Sequence, residues 1–552
     1  MRTHSLLIAG VLAFVTMGCQ DLEITNPNNP DRAVVLSSPT DVEALVSTSF
    51  RRWFNLTQGL TPSTAITAAA DEFSGGFTDY GTHEQGLEPR NAIDNGPVSA
   101  NSPNRAPFST IYSIIGGVNI ALQAIDKYDL KILSSGTDVT QRAWAFGKFT
   151  QGLTHGWQAM LYDKGWAYSE TLDTDTILFV EGSSQVQDLI VPYTVVRDTA
   201  LAELAEALRI AESTPFTLPG SFQGDWIPGI EMSNQEFVRL IHSFIARYMV
   251  YWARTPEDRA KVSWATVIDH IDKGITEDFA PMGTPDIMDS GYKNRAARQR
   301  TTTPGDFMRV DYQSIGAADQ GSAFISWHNK AWADRTPFIM TNVQDKRIIS
   351  SPSAKCTSKT ADMLAVEGKY MGCHLSTVFS ASRGTGQRSY YYFHRLGRGT
   401  AYNTGPLLIM AKAEMDLLKA EGLIRLNRAS EAVALINKTR VANGELPPVT
   451  LEGVPGVAPN CTPRKFNGDC GSLWDALRYE KRLEVMGTDA AISHWDARGW
   501  GSFVINTPLD YPIPGDQLEL MGIPEYTTGG GGYNSAPAPN PEKCPVALPR
   551  CQ

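Results

Sequence analysis

The sequence is poor in the features that would announce an integral membrane protein, a metalloenzyme or a nucleic-acid binder. After the apolar run Leu6 to Val15, no segment reads as a membrane span, which needs about 20 consecutive apolar residues. Only seven of 552 residues are cysteine, none in C-x-x-C spacing and none beside a histidine pair, so zinc ligation is not expected. The nine histidines are scattered; His242 falls in a helical stripe and reads as a core residue rather than a ligand. H-E-x-x-H, G-x-S-x-G and phosphate-loop motifs are missing, and the Gly529 to Gly532 run lacks a strand–helix context. Formal net charge is −10 with no basic cluster, which argues against nucleic acid and against docking on anionic lipid. That balance favours neutral or cationic ligands.

What is present begins at the amino end. Arg2, the short apolar run and Thr16-Met17-Gly18-Cys19 form an export signal with a small residue before cysteine. Cleavage before Cys19 and lipid attachment there would anchor the mature chain without spanning the membrane. The competing reading is an ordinary secreted protein with a chance cysteine, since Thr16 stands where a larger aliphatic residue is usual. Residues 1–18 are thus expected to be a lipoprotein signal, 19–40 a polar tether, and 41–552 a single globular body.

Six cysteines remain, as three close pairs: Cys356 with Cys373, Cys461 with Cys470, and Cys544 with Cys551. Export places them in an oxidising compartment. Local pairing is the simplest of the 15 possible connectivities, because short loops close at low entropic cost.

Helical periodicity dominates the body. Ile111, Ile115, Val118, Leu122 and Ile125 form one stripe, and Phe146, Phe149, Leu153, Trp157 and Met160 a second. Val196, Ala200, Leu204, Ala207 and Ala211 form a third, and Phe237, Leu240, Phe244 and Tyr248 a fourth. Val262, Ala265 and Ile268 start a fifth. Further on, Thr404 is expected to cap a helix with Pro406 in its first turn, a buried stripe Leu408, Ala411, Met415 and Leu418, and an end at Gly422. Ala429, Ala432, Val433 and Ile436 mark the next helix, stopped by Gly444, Pro447 and Pro448. The pair, 404–444, predicts a hairpin like one tetratricopeptide-type repeat. Ala476, Tyr479, Leu483 and Met486 mark another helix. Residues 55–108, 276–345 and 350–403 are expected to be long irregular, functional loops, and 527–543 is low in complexity.

The order of these segments resembles the SusD/RagB family of nutrient-uptake lipoproteins. The likeness runs through Cys19 and DLEITNPNNPD, the helix from Phe237 to Trp264, and the hairpin carrying Ala413-Glu414, Ala432, Ile436-Asn437, Arg440 and Gly444. It continues through Glu480, Arg482, Glu484, Trp495, Asp496 and Arg498 in a closing segment, 473–520, that ends on PLDYPIPGDQLEL. The resemblance implies a mainly α-helical SusD-like fold with tetratricopeptide-like helix pairs, long irregular ligand-binding loops and a few short strands. It also implies an outer-membrane, cell-surface location and a SusC-type TonB-dependent barrel as partner. The ligand it implies is an oligosaccharide, or a peptide in some branches; no cofactor is implied.

Sugar capture uses flat aromatic faces and polar side chains. The loops offer Asp71, Glu72, Asp79 and Tyr80, then Trp327, His328, Asn329, Trp332 and Arg335, then Tyr390 to Tyr392. Against this, any one of these aromatics is more often buried between loop and helix, and Tyr390 to Phe393 also reads as a core strand. Asp71, Glu72 and Asp79 match no defined calcium loop and read as solvated acids. Glu480 and Glu484, four apart and interleaved with Arg478, Lys481 and Arg482, read as an ion-pair network rather than a catalytic pair. The alternatives to a non-catalytic capture protein are an exported glycan-degrading hydrolase on a helical scaffold, and a purely structural repeat scaffold.

Overall fold

The computed structural model describes residues 35–75, 81–99, 102–172, 187–220, 226–283, 308–349, 356, 368–373, 375, 389–396, 405–489 and 491–528. Cys19, Asp79, Tyr80, Thr404, Cys544, Cys551, the Gly529–Gly532 run and the signal region lie outside the described residues. In chain order the helices are α1 (Pro39–Ser47), α2 (Ser49–Gln58), α3 (Leu60–Ala69), α4 (Arg105–Lys127), α5 (Thr140–Leu161), α6 (Tyr193–Ser213) and α7 (Asn234–Tyr251). They continue as α8 (Pro256–Ala260), α9 (Trp264–Asp272), α10 (Tyr312–Ile315), α11 (Ala323–His328), α12 (Lys412–Arg425), α13 (Ala429–Ala442), α14 (Leu473–Val485), α15 (Ile492–Gly499) and α16 (Gly515–Leu520). Strands are short and occur as two-stranded pairs among the described residues. Two matter below: β1 (Phe73–Gly75) with β2 (Met308–Val310), and β3 (Met371–Cys373) with β4 (Tyr391–Phe393), both antiparallel.

The first four apolar stripes are buried in α4, α5, α6 and α7, as a 3.6-residue period requires of helices with one packed face. Their side chains merge into one core with α1, α2 and α9. Close approach is built into α5: a Cβ at Gly156 would sit 2.2 Å from the Tyr248 ring of α7. Ser233 and Glu236 form a capping box at the start of α7, satisfying two orphan backbone donors.

Several expectations are corrected. α4 is long and apolar enough to cross a membrane by length and composition, contrary to the sequence reading, but its Ile111, Ile114, Ile115, Val118 and Leu122 are buried in the core. The fifth stripe is Trp264, Val267, Ile268 and Ile271; Val262 precedes the helix and Ala265 is exposed. Residues 55–108 are not one long loop, since α2, α3 and the start of α4 occupy much of them.

Gly405–Pro406 is a strand paired with Met282–Gly283, so Pro406 sits in an edge pairing and not in a first helical turn. The helix begins at Lys412 and runs through Gly422 to Arg425. Gly422 is interior because a Cβ there would meet Trp264 of α9 at 2.9 Å. α12 and α13 form the expected hairpin, closed by three residues and buried through Leu417, Ala420, Ala432 and Ile436.

α14 joins two smaller cores. Ala476 and Leu477 pack into the hairpin. Tyr479 and Leu483 pack under the 308–349 segment and the β3–β4 pair. The Glu480 and Glu484 network exists, but its partners come from elsewhere. Arg347 reaches Glu480 at 2.6 Å and Glu484 at 3.0 Å, with Asp345 on its other side at 2.7 Å. Lys481 turns instead to Asp496 at 2.8 Å, where Arg259 also binds Asp496 and Glu421. A third buried set joins Arg247 to Glu414 and Asp489. The first set ties α14 to the 308–349 segment, and the other two tie α14 and the segment after it to the helical body. Disulfides join Cys356 to Cys373 and Cys461 to Cys470.

Candidate ligand-binding cleft

A cleft of about 490 Å³ opens beside the amino-terminal half of α14, within the size range of small-ligand sites. Asp475, Arg478, Tyr479 and Arg482 face it. Their spacing of i, i+3, i+4 and i+7 is one helical face, and the opposite face carries Ala476 and Leu477 into the hairpin core. Ser472 and Asp475 start the helix as a capping box: Asp475 Oδ2 accepts from the Ser472 N–H at 2.8 Å and from its hydroxyl at 2.7 Å.

The facing wall is Arg464, Lys465, Phe466 and Asn467, inside the loop that the Cys461–Cys470 disulfide closes. Arg464 anchors this loop. Its Nε donates to Gly468 O at 3.2 Å, and its Nη1 to Asp319 O at 3.2 Å and Gly321 O at 2.6 Å. Phe466 stacks on His328 with ring centroids 4.2 Å apart. Gln313 and Ser314 of α10 and Trp500 also line it.

Burial pushes the Arg482 pKa down, while Asp71, Glu72 and Asp311 behind it pull the other way. Its Nη1 donates to Ala70 O and Ser314 Oγ, each at 3.3 Å. Tyr479 donates to Asp345 at 2.7 Å; burial raises its phenol well above the ordinary value. The guanidinium of Arg478 lies 5.5 Å from the Trp500 ring. The chain as a whole is acidic, yet this cavity is lined by four cations and one carboxylate.

The structure places the sequence-predicted ligand residues mostly inside. Asp71 is buried and ion-paired with Arg90 at 2.5 Å, so it is not a solvated acid. Glu72 is buried and accepts from the Gly487 N–H at 2.8 Å. Trp327 is 2% exposed and packs in the core under the guanidinium of Arg335. Arg335 in turn pairs with buried Glu88 at 3.0 Å. Asn329 is exposed and Trp332 half-buried. Tyr391 and Tyr392 lie in β4, the core-strand reading, and Tyr390 is half-buried beside it. His242 is buried, with its Nδ1 2.8 Å from that of His270. No group of three or more metal-ligating side chains occurs among the described residues.

Sequence reasoning missed Gln313, Arg464, Lys465, Phe466 and Trp500. A usable signal was present: a cysteine-bracketed segment carrying Arg464-Lys465-Phe466-Asn467, and a polar i, i+3, i+4, i+7 face on α14. Neither signal says that the two meet.

No protein-family model matches the chain, and no curated protein matches it. Solved structures do. A SusD superfamily protein from Bacteroides vulgatus ATCC 8482 matches at 12% identity and a TM-score of 0.52, over 90% of this chain and 100% of that one. A second SusD superfamily protein from the same organism matches at 12% identity and a TM-score of 0.50, over 84% and 89% of the two chains. The chain has the fold of the SusD superfamily, mainly α-helical with a few short strands.

Proposed function

We propose that this chain is a SusD/RagB-type lipoprotein, held at the outer-membrane surface through Cys19. It captures oligosaccharide or peptide nutrients and delivers them to a SusC-type TonB-dependent barrel. The observation that carries the reading is the SusD fold over nine-tenths of the chain, joined to an export signal that ends in cysteine. The reading is one of capture without bond cleavage. Glycoside hydrolysis uses two carboxylates flanking the bond. Among the described residues the cleft presents Asp475 alone, and that carboxylate is committed to capping α14. The buried carboxylates Glu480, Glu484, Asp496, Glu414 and Glu421 each sit against a buried cation, which supports a structural role for them.

Incubation of the purified mature chain with a glycan and peptide panel tests this. Saturable binding with every ligand recovered intact supports capture, whereas turnover that scales with protein concentration refutes it.

A further inference from the structure

We infer that the cleft beside α14 is selective for acidic saccharides and seats a uronate carboxylate between the 461–470 loop and α14. This deepens the capture reading and rests on it. The charge census carries the argument. Arg464, Lys465, Arg478 and Arg482 line the cavity, against Asp475. Asp475 is held by the Ser472 cap and lies 3.8 Å from Lys465. Arg482 is balanced from behind by Asp71, Glu72 and Asp311. The Arg464 fork is fixed at Nε and Nη1 by uncharged carbonyls, so its charge is positioned without being neutralised. Its Nη2 makes no hydrogen bond among the described residues. A guanidinium held this way is preorganised for a carboxylate.

Two buried polar atoms complete the pattern. Gln313 is 7% exposed, and its Oε1 is buried with no partner among the described residues. The Trp500 Nε1–H on the adjoining wall is likewise buried and unpartnered. Buried polar atoms are seldom left unpaired, because each has given up water without gaining a partner. A buried acceptor and donor, three guanidiniums, an ammonium and the aromatic rings of Phe466 and Trp500 match a ring with hydroxyls and a carboxylate. An acidic peptide would satisfy the cations, but a glutamate chain brings no ring face for Phe466 and Trp500. A neutral sugar would bring no charge to Arg464, whose hydrogen bonds go to uncharged carbonyls.

The test is calorimetric titration of the mature chain with three acidic trimers (oligogalacturonate, oligomannuronate, oligoglucuronate), their neutral counterparts, and a glutamate tripeptide. At least one acidic trimer should bind about tenfold more tightly than its neutral counterpart at low salt, the gap closing as salt screens the cations. Lys465→Glu alters a side chain that is 43% exposed. It should weaken acidic-trimer binding about tenfold and leave the melting midpoint unchanged. Lys465→Arg should bind like the parent. Neutral trimers binding as well as acidic ones, indifference to Lys465→Glu, or tighter binding of the tripeptide would each overturn the inference while capture stands. Silence from every probe overturns the inference, while capture of another ligand stands.

Discussion

Arg347 is the perturbation whose consequence the structure defines best. Its guanidinium is fully buried and makes close contacts to three carboxylates: Asp345 at 2.7 Å, Glu480 at 2.6 Å and Glu484 at 3.0 Å. Two other cations remain if it is removed. Arg440 is 3.6 Å from Glu480, and Arg395 is 3.3 Å from Glu484. Arg347→Met therefore leaves three buried carboxylates facing two arginines, one negative charge uncompensated. Breaking a buried pair this way costs about 3–5 kcal/mol. Burial already pushes Glu480 above the ordinary carboxylate range, against the pull of Arg347. Without that pull the folded state takes up a proton that the unfolded state does not hold. A folded pKa above the unfolded one means stability present at low pH and lost as pH rises. The loss on Arg347→Met is thus expected to be full at about pH 8 and smaller by about 1–2 kcal/mol at about pH 5. Urea unfolding followed by tryptophan fluorescence at both pH values measures it, and Arg347→Met with Glu480→Gln should recover about half the loss by removing the orphaned charge. A cost below about 1 kcal/mol at both pH values, or a greater cost at low pH, would refute this account of how α14 is held.

Other outcomes follow from the same packing. Asp163 is raised to about 7 by burial and by nearby Asp510, while Tyr526 hydrogen-bonds both its oxygens at 2.8 Å. Asp163→Asn should gain about 4 kcal/mol on the parent between about pH 4 and pH 8, because the parent alone must ionise a buried acid; a pH-independent difference contradicts this. Gly156→Ala drives a methyl into the Tyr248 ring, whose hydroxyl is fixed to Leu153 O at 2.8 Å, and should cost about 3 kcal/mol in urea unfolding. Replacing Cys461 and Cys470 by serine opens the loop that forms one cleft wall. It should lower stability by about 2–3 kcal/mol and weaken cleft ligands while leaving far-ultraviolet circular dichroism unchanged.

The long helices were legible because Ile111 to Ile125 and Phe146 to Met160 repeat the helical period over several turns, and tertiary packing agreed with it. Local signals misled where two distant segments compete for the same residues. Pro406 carries a helix-start signal but pairs with Met282, and Gly422 carries a stop signal but admits Trp264. Composition marks the candidate loops as ligand-bearing as a set, with any one aromatic more often buried. Trp327 and Arg335 instead meet each other and Glu88, a contact across more than two hundred residues that no spacing encodes. The cleft was unreadable for the same reason: its walls are a nine-residue disulfide separation and a helix face that meet only in the folded chain.

The central claim is that this chain works as the capture half of an uptake pair. Affinity purification of the full-length tagged chain from detergent-solubilised outer membranes of its own cells, with mass spectrometry of what co-elutes, tests it most directly. The account predicts a TonB-dependent barrel in near-equimolar amount and an acylated Cys19 at the mature amino end. Recovery of an unacylated chain from the culture fluid, with no barrel in the membrane eluate, would contradict it.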